Sequence, residues 1–175
     1  MPDEGELTAA ATLGEMARWP EPVERVAAYL REAGAEARIE EFAAETASAE
    51  DAAKAIGTEL CRIVKTLVFD CDGRAVVALI PGDRRADRTK VAAAAQAGRA
   101  QIVRAEDVER LTGFAPGAVA PFPLPETTRA FLDPGLLVHE LVWVGAGSTR
   151  HLAGLAPREL LRVSRAQTCD VAEDG

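Results

Sequence analysis

One apolar, β-branched run with a single lysine inside it constrains the fold more than any other part of the sequence. The run is Leu60–Phe69, and a second apolar run, Ala75–Ile80, follows it after a short linker that contains Asp72 and Gly73. An Asp-Gly pair between two such runs is the strongest short-range signal for a β-hairpin. Lys65 then lies inside a strand, where the loss of water around its ammonium group is costly unless an anion pairs with it.

Two explanations of Lys65 stay open on periodicity alone. Alternation along the run places Lys65 on the same face as Leu67 and Phe69. If that face is the core, Lys65 lies at its rim and needs an anionic partner. A lysine on an edge strand can instead extend its ammonium group outward into water.

The second informative feature is a glycine loop, Gly113–Pro121, with the pattern G-x-x-x-G-x-x-x-P. Glycines adopt positive φ and let backbone N–H groups approach a ligand without interference from Cβ. The loop is neither a Walker loop nor a Rossmann fingerprint, because no Gly-Lys-Ser/Thr follows it and no strand precedes it. A helix C-cap explains Gly113 but not Gly117. A further small-residue loop, Gly145–His151 (the second loop), is either a hairpin connection or another wall of a pocket.

The alternation of helical and strand patterns predicts one α+β domain with a central mixed, largely antiparallel sheet flanked by helices. Residues 1–19 are predicted to be an extension, residues 20–165 the domain, and residues 166–175 a disordered tail. One predicted helix starts after Pro22. The others are Ser48–Gly57, Asp87–Ala97, Ala105–Thr112 and a segment from Pro157. The predicted strands are the two of the hairpin, Arg38–Phe42, Gln101–Val103, Thr127–Leu132 and Leu141–Val144.

Charge and composition narrow the classes of function. The net charge of the 175 residues is -8, and aromatic residues make up 5%. A broad grip on a nucleic-acid backbone needs clustered Lys and Arg and is therefore not expected. Docking to one RNA end through a local basic patch stays possible, and one basic cluster exists, although most such clusters are solvated faces. The cluster consists of Arg84, Arg85, Arg88 and Lys90.

Neither a metal nor a cofactor is expected. The three cysteines form no C-x-x-C pair, and His139 and His151 have no metal-like partner spacing. No G-x-S-x-G elbow of a serine hydrolase is present. No apolar stretch has the length of a membrane span, and the acidic N-terminus differs from a signal peptide, so we expect a cytoplasmic protein without a membrane partner.

Lys65 in its β-run, the following strand that ends before Gly82, and the glycine loop together resemble the YbaK/EbsC family. These are free-standing aminoacyl-tRNA editing domains, related to the insertion domain of bacterial prolyl-tRNA synthetase. The later order fits as well: a turn at Asp133, a strand, the second loop, and a last helix from Pro157. The resemblance covers roughly Val23 to Val163.

The resemblance implies hydrolysis, in trans, of the ester that joins a wrong, small amino acid to a proline-type or related tRNA. The implied partner is the acceptor end of an aminoacylated tRNA, with an aminoacyl-tRNA synthetase as a further candidate. Lys65 is implied to lie near the terminal adenosine and its phosphate, and Gly113 and Gly117 to hold the ester carbonyl and water through backbone groups. The implied substrate-binding residues are Thr66, Phe114, Pro121, Asp133, Gly145, Gly147, Ser148 and His151. The basic cluster supplies the candidate tRNA contacts.

One position departs from the family pattern. The family loop often continues with glycine two residues after the proline, and Pro123 stands there in this chain. Proline fixes φ and removes an N–H donor, so it puts the shape of the pocket, and hence the accepted amino acid, in question. A non-catalytic module that binds tRNA ends or nucleotides is therefore the alternative, favoured by Pro123 and the acidic charge. Lys65 and both glycines of the loop favour the deacylase.

Overall fold

The computed structural model describes residues 19–175, which form five α-helices and eight β-strands. The predicted extension, residues 1–19, lies outside the described residues except for Trp19. The helices are α1 (Glu21–Glu32), α2 (Ala49–Ile56), α3 (Arg88–Ala94), α4 (Ala105–Thr112) and α5 (Pro157–Ser164). The strands are β1 (Ala37–Glu41), β2 (Val64–Cys71), β3 (Arg74–Pro81), β4 (Gln101–Ile102), β5 (Arg129–Leu132), β6 (Val142–Gly145), β7 (His151–Leu155) and β8 (Gln167–Thr168).

The α+β class is confirmed, but the strands form two sheets instead of one central sheet. One sheet is antiparallel in the order β1-β7-β6, and the other is mixed in the order β4-β2-β3-β5-β8. A 3-10 turn at Leu60–Arg62 interrupts the apolar run before β2 begins. Next to the turn, Ile63 forms an isolated parallel bridge to Trp143 of β6. This bridge joins the two sheets at one point and leaves a seam between them.

The predicted hairpin is confirmed. β2 and β3 pair antiparallel from Val64 opposite Pro81 to Cys71 opposite Arg74. The two turn residues between them, Asp72 and Gly73, have φ of 53° and 87°. Positive φ at both positions is what a tight turn between right-twisted strands requires.

Local capping signals also predicted helix ends correctly. The Ser48 hydroxyl accepts a hydrogen bond from the N–H of Asp51 at 3.0 Å and caps α2 at its N-terminus. Gly57 caps the C-terminus of α2 and Gly113 caps that of α4, and both glycines have the left-handed conformation. These caps fix where the segments around the seam begin and end.

Both faces of β2 are covered, whereas alternation predicted one core face. Val64 and Val68 pack in a large core together with α1, α5 and the three-stranded sheet. Phe69 packs in a smaller core beneath α3. Lys65 lies on the strand between these layers and is half-buried.

The prediction of a disordered tail at residues 166–175 is wrong. β8 pairs in parallel with β5, and Ala172 forms an antiparallel bridge with Ala86. Val171 and Ala172 are both 0% exposed and complete the smaller core. Val171 and Ala172 stand between polar residues, so the sequence did not indicate that these two apolar side chains anchor the segment.

Candidate functional site

A cleft of about 260 Å³ opens at the seam between the two sheets. Four parts of the chain form it: the segment leading into α2, the start of β2, the glycine loop, and the three-stranded sheet. Its lining residues are Thr46, Ala47, Ser48, Ala49, Ala52, Ile63, Val64, Lys65, Thr66, Leu67, Gly117, Val119, Gly145 and Leu152. Four of the predicted site residues are therefore brought together here, namely Lys65, Thr66, Gly117 and Gly145.

Lys65 supplies the one charged side chain among these lining residues. Its Nζ donates a hydrogen bond to the backbone carbonyl of Arg84 at 2.9 Å. Within the described residues no carboxylate forms an ion pair with it, so its protein partner is a carbonyl and not the expected anion. An ammonium group carries three donors, and this bond uses one of them. Lys65 therefore retains hydrogen-bonding capacity on the side of the cleft.

The segment before α2 forms a wall that sequence reasoning missed. Thr46 donates hydrogen bonds from its N–H and its hydroxyl to the carbonyl of Thr149, and Phe42 donates to the carbonyl of Arg150. These bonds attach the segment to the residues that lead into β7. The only sequence signal was the N-cap at Ser48, which marks a helix start but carries no sign of a cleft.

The middle of the glycine loop lines the cleft, at Gly117 and Val119. Gly117 has φ of +79°, a conformation that side-chain-bearing residues rarely adopt. A Cβ at Gly145 would lie 2.7 Å from the carbonyl oxygen of Val119. Gly145 thus permits the close approach of the loop to β6, and this approach closes one side of the cleft.

The two ends of the glycine loop do not line the cleft. Gly113 caps α4, and its carbonyl accepts a hydrogen bond from the Arg25 guanidinium at 2.8 Å. Phe114 is 0% exposed, in the large core, with the same guanidinium 4.8 Å from its ring centroid. Both residues hold the loop to α1 and lie outside the lining of the cleft, whereas Gly113 was predicted to be catalytic and Phe114 to bind substrate.

Pro121 and Pro123 line a different cavity, of about 560 Å³, beside Tyr29 and α5. Pro123 therefore lines this second cavity and not the cleft that contains Lys65. Asp133 is 3% exposed and accepts hydrogen bonds from the N–H groups of Gly135 and Val171. It fixes a turn and the tail, and it does not line the cleft, although it was predicted to bind substrate.

The second loop is packed and does not line the cleft beyond Gly145. A Cβ at Gly147 would lie 2.8 Å from the carbonyl of Pro22, so this glycine lets the loop rest on the start of α1. Ser148 is hydrogen-bonded to Nδ1 of His151, which is 3% exposed. Gly147, Ser148 and His151, which were predicted to contact substrate, pack within the protein and are not among the residues that line the cleft.

The buried His151 is the centre of a group that we call the His151 cluster: Ser148, His151, Glu41 and Trp19. Nε2 of His151 lies 3.5 Å from a carboxylate oxygen of Glu41, and the Trp19 ring lies edge-on to the imidazole, with centroids 5.6 Å apart. Burial lowers the pKa of His151 below its ordinary value, and the nearby Glu41 carboxylate partly opposes this shift.

The basic cluster is divided by the tail. Arg85 and Arg88 are exposed. Lys90 instead forms ion pairs with Asp170 and Asp174, at 2.9 and 2.8 Å, and hydrogen bonds with these carboxylates raise its pKa. Lys90 thus has carboxylate partners within the chain and is not a free cation for RNA.

Two absences hold for the part of the chain that the structure describes. No group of three His, Cys, Asp or Glu side chains is arranged to hold a metal ion. None of the helices between residues 19 and 175 is long and apolar enough to cross a membrane.

Comparison with known proteins gives consistent matches over most of the chain. The family model described as "Aminoacyl-tRNA editing domain" matches residues 43–163. YwhH of Bacillus subtilis, an uncharacterized protein, is 31% identical over 138 residues, covering 78% of this chain and 87% of the relative. A protein of Enterococcus faecalis named "Putative Cys-tRNA(Pro)/Cys-tRNA(Cys) deacylase EbsC" is 30% identical over 125 residues, covering 71% of this chain and 76% of the relative.

A solved structure described as "a putative trans-editing enzyme for prolyl tRNA synthetase" superposes with a TM-score of 0.82 at 34% identity. The match covers 89% of this chain and 99% of that one. The matched family model spans all four segments that form the cleft, from Thr46 to Leu152. The chain therefore belongs to the YbaK/EbsC family of aminoacyl-tRNA editing domains, which is related to the editing domain of prolyl-tRNA synthetase.

Proposed function

We propose that the cleft hydrolyses, in trans, the ester bond of a proline-type or related tRNA that carries a wrong, small amino acid. The observation that carries this proposal is the juxtaposition of Lys65 and Gly117 in one cleft. An ammonium group with spare donors lies beside a loop whose backbone a ligand can approach closely. A phosphate next to an ester is a ligand that uses both features.

In this proposal Lys65 binds the phosphate near the terminal adenosine, and backbone N–H groups of the loop around Gly117 hold the ester carbonyl. The oxygen of a water molecule forms a bond to the carbonyl carbon, and the C–O bond to the ribose breaks. Of the two protons of the water, one goes to the ribose oxygen and the other is released to solvent, and the amino acid leaves with a free carboxylate. Negative charge develops on the carbonyl oxygen, where preorganised donors lower the barrier.

The water has no side-chain base beside it in the cleft. The lining residues include neither histidine nor a carboxylate, and the hydroxyl of Thr46 already donates to the carbonyl of Thr149. Backbone carbonyls or a ribose hydroxyl of the tRNA itself therefore orient the water. Substrate positioning then supplies much of the rate enhancement.

The restriction to a small amino acid rests on the family to which the chain belongs and not on the size of the cleft. The cleft has a volume of about 260 Å³, and its small lining residues Ala47, Ala49, Ala52, Gly117 and Gly145 leave room for a ligand. Because one methylene group in an apolar pocket changes binding by only about 1–3 kcal/mol, tRNAs charged with amino acids of several sizes have to be compared.

A panel of mischarged tRNAs tests the proposal. We expect release of free amino acid from at least one tRNA with a small, wrong amino acid, and no release from the correctly charged tRNA. The alternative is a module that binds tRNA ends or nucleotides without hydrolysis, and the missing side-chain base favours it. Saturable binding of tRNA without turnover of any panel member would establish that alternative.

The exposed cations Arg85 and Arg88 are the proposed contacts to the tRNA backbone. Their joint replacement by Gln should raise KM for charged tRNA and flatten its dependence on salt, with kcat little changed. Kinetics between about 50 and 200 mM salt measure the effect. An unchanged salt slope in the double variant would assign the tRNA surface to another face.

A further inference from the structure

The Lys65 ammonium is hydrogen-bonded to the turn that carries Arg84. Nζ of Lys65 donates to the carbonyl of Arg84, which follows β3. On one side this turn is fixed by Gly82, whose N–H donates to the carbonyl of Ile63 at 2.7 Å. A Cβ at Gly82 would lie 2.5 Å from the carbonyl of Leu60, so the turn rests directly on the backbone before β2.

On its other side the turn is held by the segment Asp170–Asp174, which we call the clamp segment. The N–H of Glu173 donates to the carbonyl of Arg85 at 2.8 Å, and the N–H of Asp87 donates to the carbonyl of Val171 at 2.9 Å. The guanidinium of Arg84 donates to the carbonyl of Glu173. The clamp segment thus pairs with the residues on both sides of the bridge at Ala86 and, through Arg84, reaches the partner of Lys65.

Lys90 fastens the clamp segment to α3. Its Nζ donates to carboxylate oxygens of Asp170 and Asp174 and, at 2.9 Å, to the carbonyl of Ala172. One ammonium group therefore contacts the beginning, the middle and the end of the segment. Multiple charge-assisted hydrogen bonds to one group restrict the segment more than isolated surface pairs do.

We propose that the clamp segment and Lys90 act as positioning residues for Lys65: they hold the Arg84 carbonyl in the place that orients the Lys65 ammonium in the cleft. This inference rests on the proposed function, because the orientation of the Lys65 ammonium is important only if Lys65 binds the substrate. Lys90 does not touch the substrate in this proposal and acts through the turn.

The test compares Lys90→Met, which keeps the length of the side chain but removes its donors, with Lys90→Arg, which keeps the charge. Arg162→Met is the matched control, because Arg162 forms a surface ion pair with Glu159 on α5, away from the cleft. We expect Lys90→Met to lower kcat about three- to tenfold with KM for charged tRNA within about twofold, by weakening the placement of one electrostatic group. Lys90→Arg should restore most of kcat, and Arg162→Met should match the unsubstituted protein.

A spectroscopic measurement separates this inference from the proposed function. The chain has three lysines, Lys54, Lys65 and Lys90, so ¹⁵N-lysine labelling gives few signals, and Lys65→Ala assigns the one of interest. The Lys65 ammonium signal should shift or broaden in Lys90→Met but not in Arg162→Met, whether or not any tRNA is hydrolysed. If no tRNA is hydrolysed and the signal still moves, the proposed function fails while the positioning holds.

Two results would overturn the positioning role. One is an unchanged Lys65 signal together with unchanged kcat in Lys90→Met. The other is a raised KM with a flatter salt dependence and unchanged kcat, which would make Lys90 a tRNA contact. If Lys90→Met does not fold by circular dichroism, Asp174→Asn weakens the same fastening at a carboxylate that is almost fully exposed and is subjected to the same measurements.

Discussion

The cleft around Lys65 and the His151 cluster are both polar regions beside the three-stranded sheet, and they differ in how their polar groups are used. In the His151 cluster, Ser148 and Glu41 surround an imidazole that is 3% exposed. In the cleft, Lys65 contacts one protein carbonyl and is half-buried. The buried imidazole is shielded from any ligand and its Nδ1 is hydrogen-bonded within the protein, whereas a group with spare donors at a cleft is available to a ligand.

The largest loss of deacylation activity is expected when Lys65 is replaced. Lys65→Ala should reduce kcat/KM for deacylation by about 100- to 1000-fold, because it removes a preorganised charge from the site. Its free energy of unfolding should fall by only about 1 kcal/mol, the typical net contribution of one hydrogen bond. Deacylation assays and urea denaturation measure the two effects. Lys54→Ala, at an exposed position on α2, is the control. Equal activity of both variants would contradict a role for Lys65 in binding the substrate.

Gly117 should give the next largest effect. Its φ of +79° is matched by Gly57 at +78°, which lies outside the cleft and where an added Cβ would have no neighbouring atom within 4 Å. Gly117→Val and Gly57→Val should therefore both lose about 1–2 kcal/mol of stability to backbone strain. Deacylation, measured on the same mischarged tRNA, should fall about tenfold or more only in Gly117→Val, since its methyl groups project into the cleft. Equal losses of activity in the two variants would show that Gly117 is needed only for its backbone conformation and not for access to the cleft.

Ser148→Ala, in the His151 cluster, is the counterpart of Gly117→Val: it should affect stability and not activity. It removes a partner of His151 and of the N–H of Arg150, so it should lower the free energy of unfolding by about 1 kcal/mol. Activity should stay within about twofold of the unsubstituted protein, because the residue does not line the cleft. Urea denaturation and the deacylation assay measure the two quantities. A greater loss of activity in Ser148→Ala than in Gly117→Val would reverse the roles assigned to the two loops.

The His151 cluster predicts a dependence of stability on pH. Because burial lowers the pKa of His151 in the folded protein, the unfolded chain binds more protons below the ordinary value of 6.5. The free energy of unfolding should be at its full value above that pH and fall as the pH drops toward the folded pKa. Urea denaturation in a His139→Asn background, where His151 is the only histidine, measures this. A stability that rises as the pH falls through this window would contradict the sign.

The smallest expected effect is that of metal removal. Neither region offers three suitable ligands among the described residues, so deacylation should be unchanged after dialysis against EDTA. The assay is repeated with added zinc. Activity that EDTA abolishes and zinc restores would show that one of the two regions contains a metal site.

Sequence reasoning succeeded where the signal is local. The turn at Asp72 and Gly73 and the caps at Ser48, Gly57 and Gly113 depend on φ angles and hydrogen bonds within a few residues. The same locality explains why Lys65 could be singled out, since one charge in an apolar strand is visible without knowledge of the fold.

Features set by distant pairing could not be predicted. β7 was missed because it contains Gly154, a poor strand former, whose missing Cβ is needed: a Cβ there would lie 2.8 Å from the ring of Trp143. In the glycine loop, the pattern could not tell that Gly113 and Phe114 face α1 while Gly117 faces the cleft. The wall at Thr46 contains no glycine, and its one charged residue, Glu45, is exposed, so only the N-cap at Ser48 marked this part of the sequence.

The bridge between Ile63 and Trp143, with the pairing of Ala37 opposite Leu155, has a consequence for how the chain folds. Both contacts join residues that are far apart in sequence, so large loops must close before either contact forms, which slows folding. A ribosome releases the early strands well before their partners. The cleft therefore cannot assemble on a half-made chain, and it forms only after most of the chain has been synthesised.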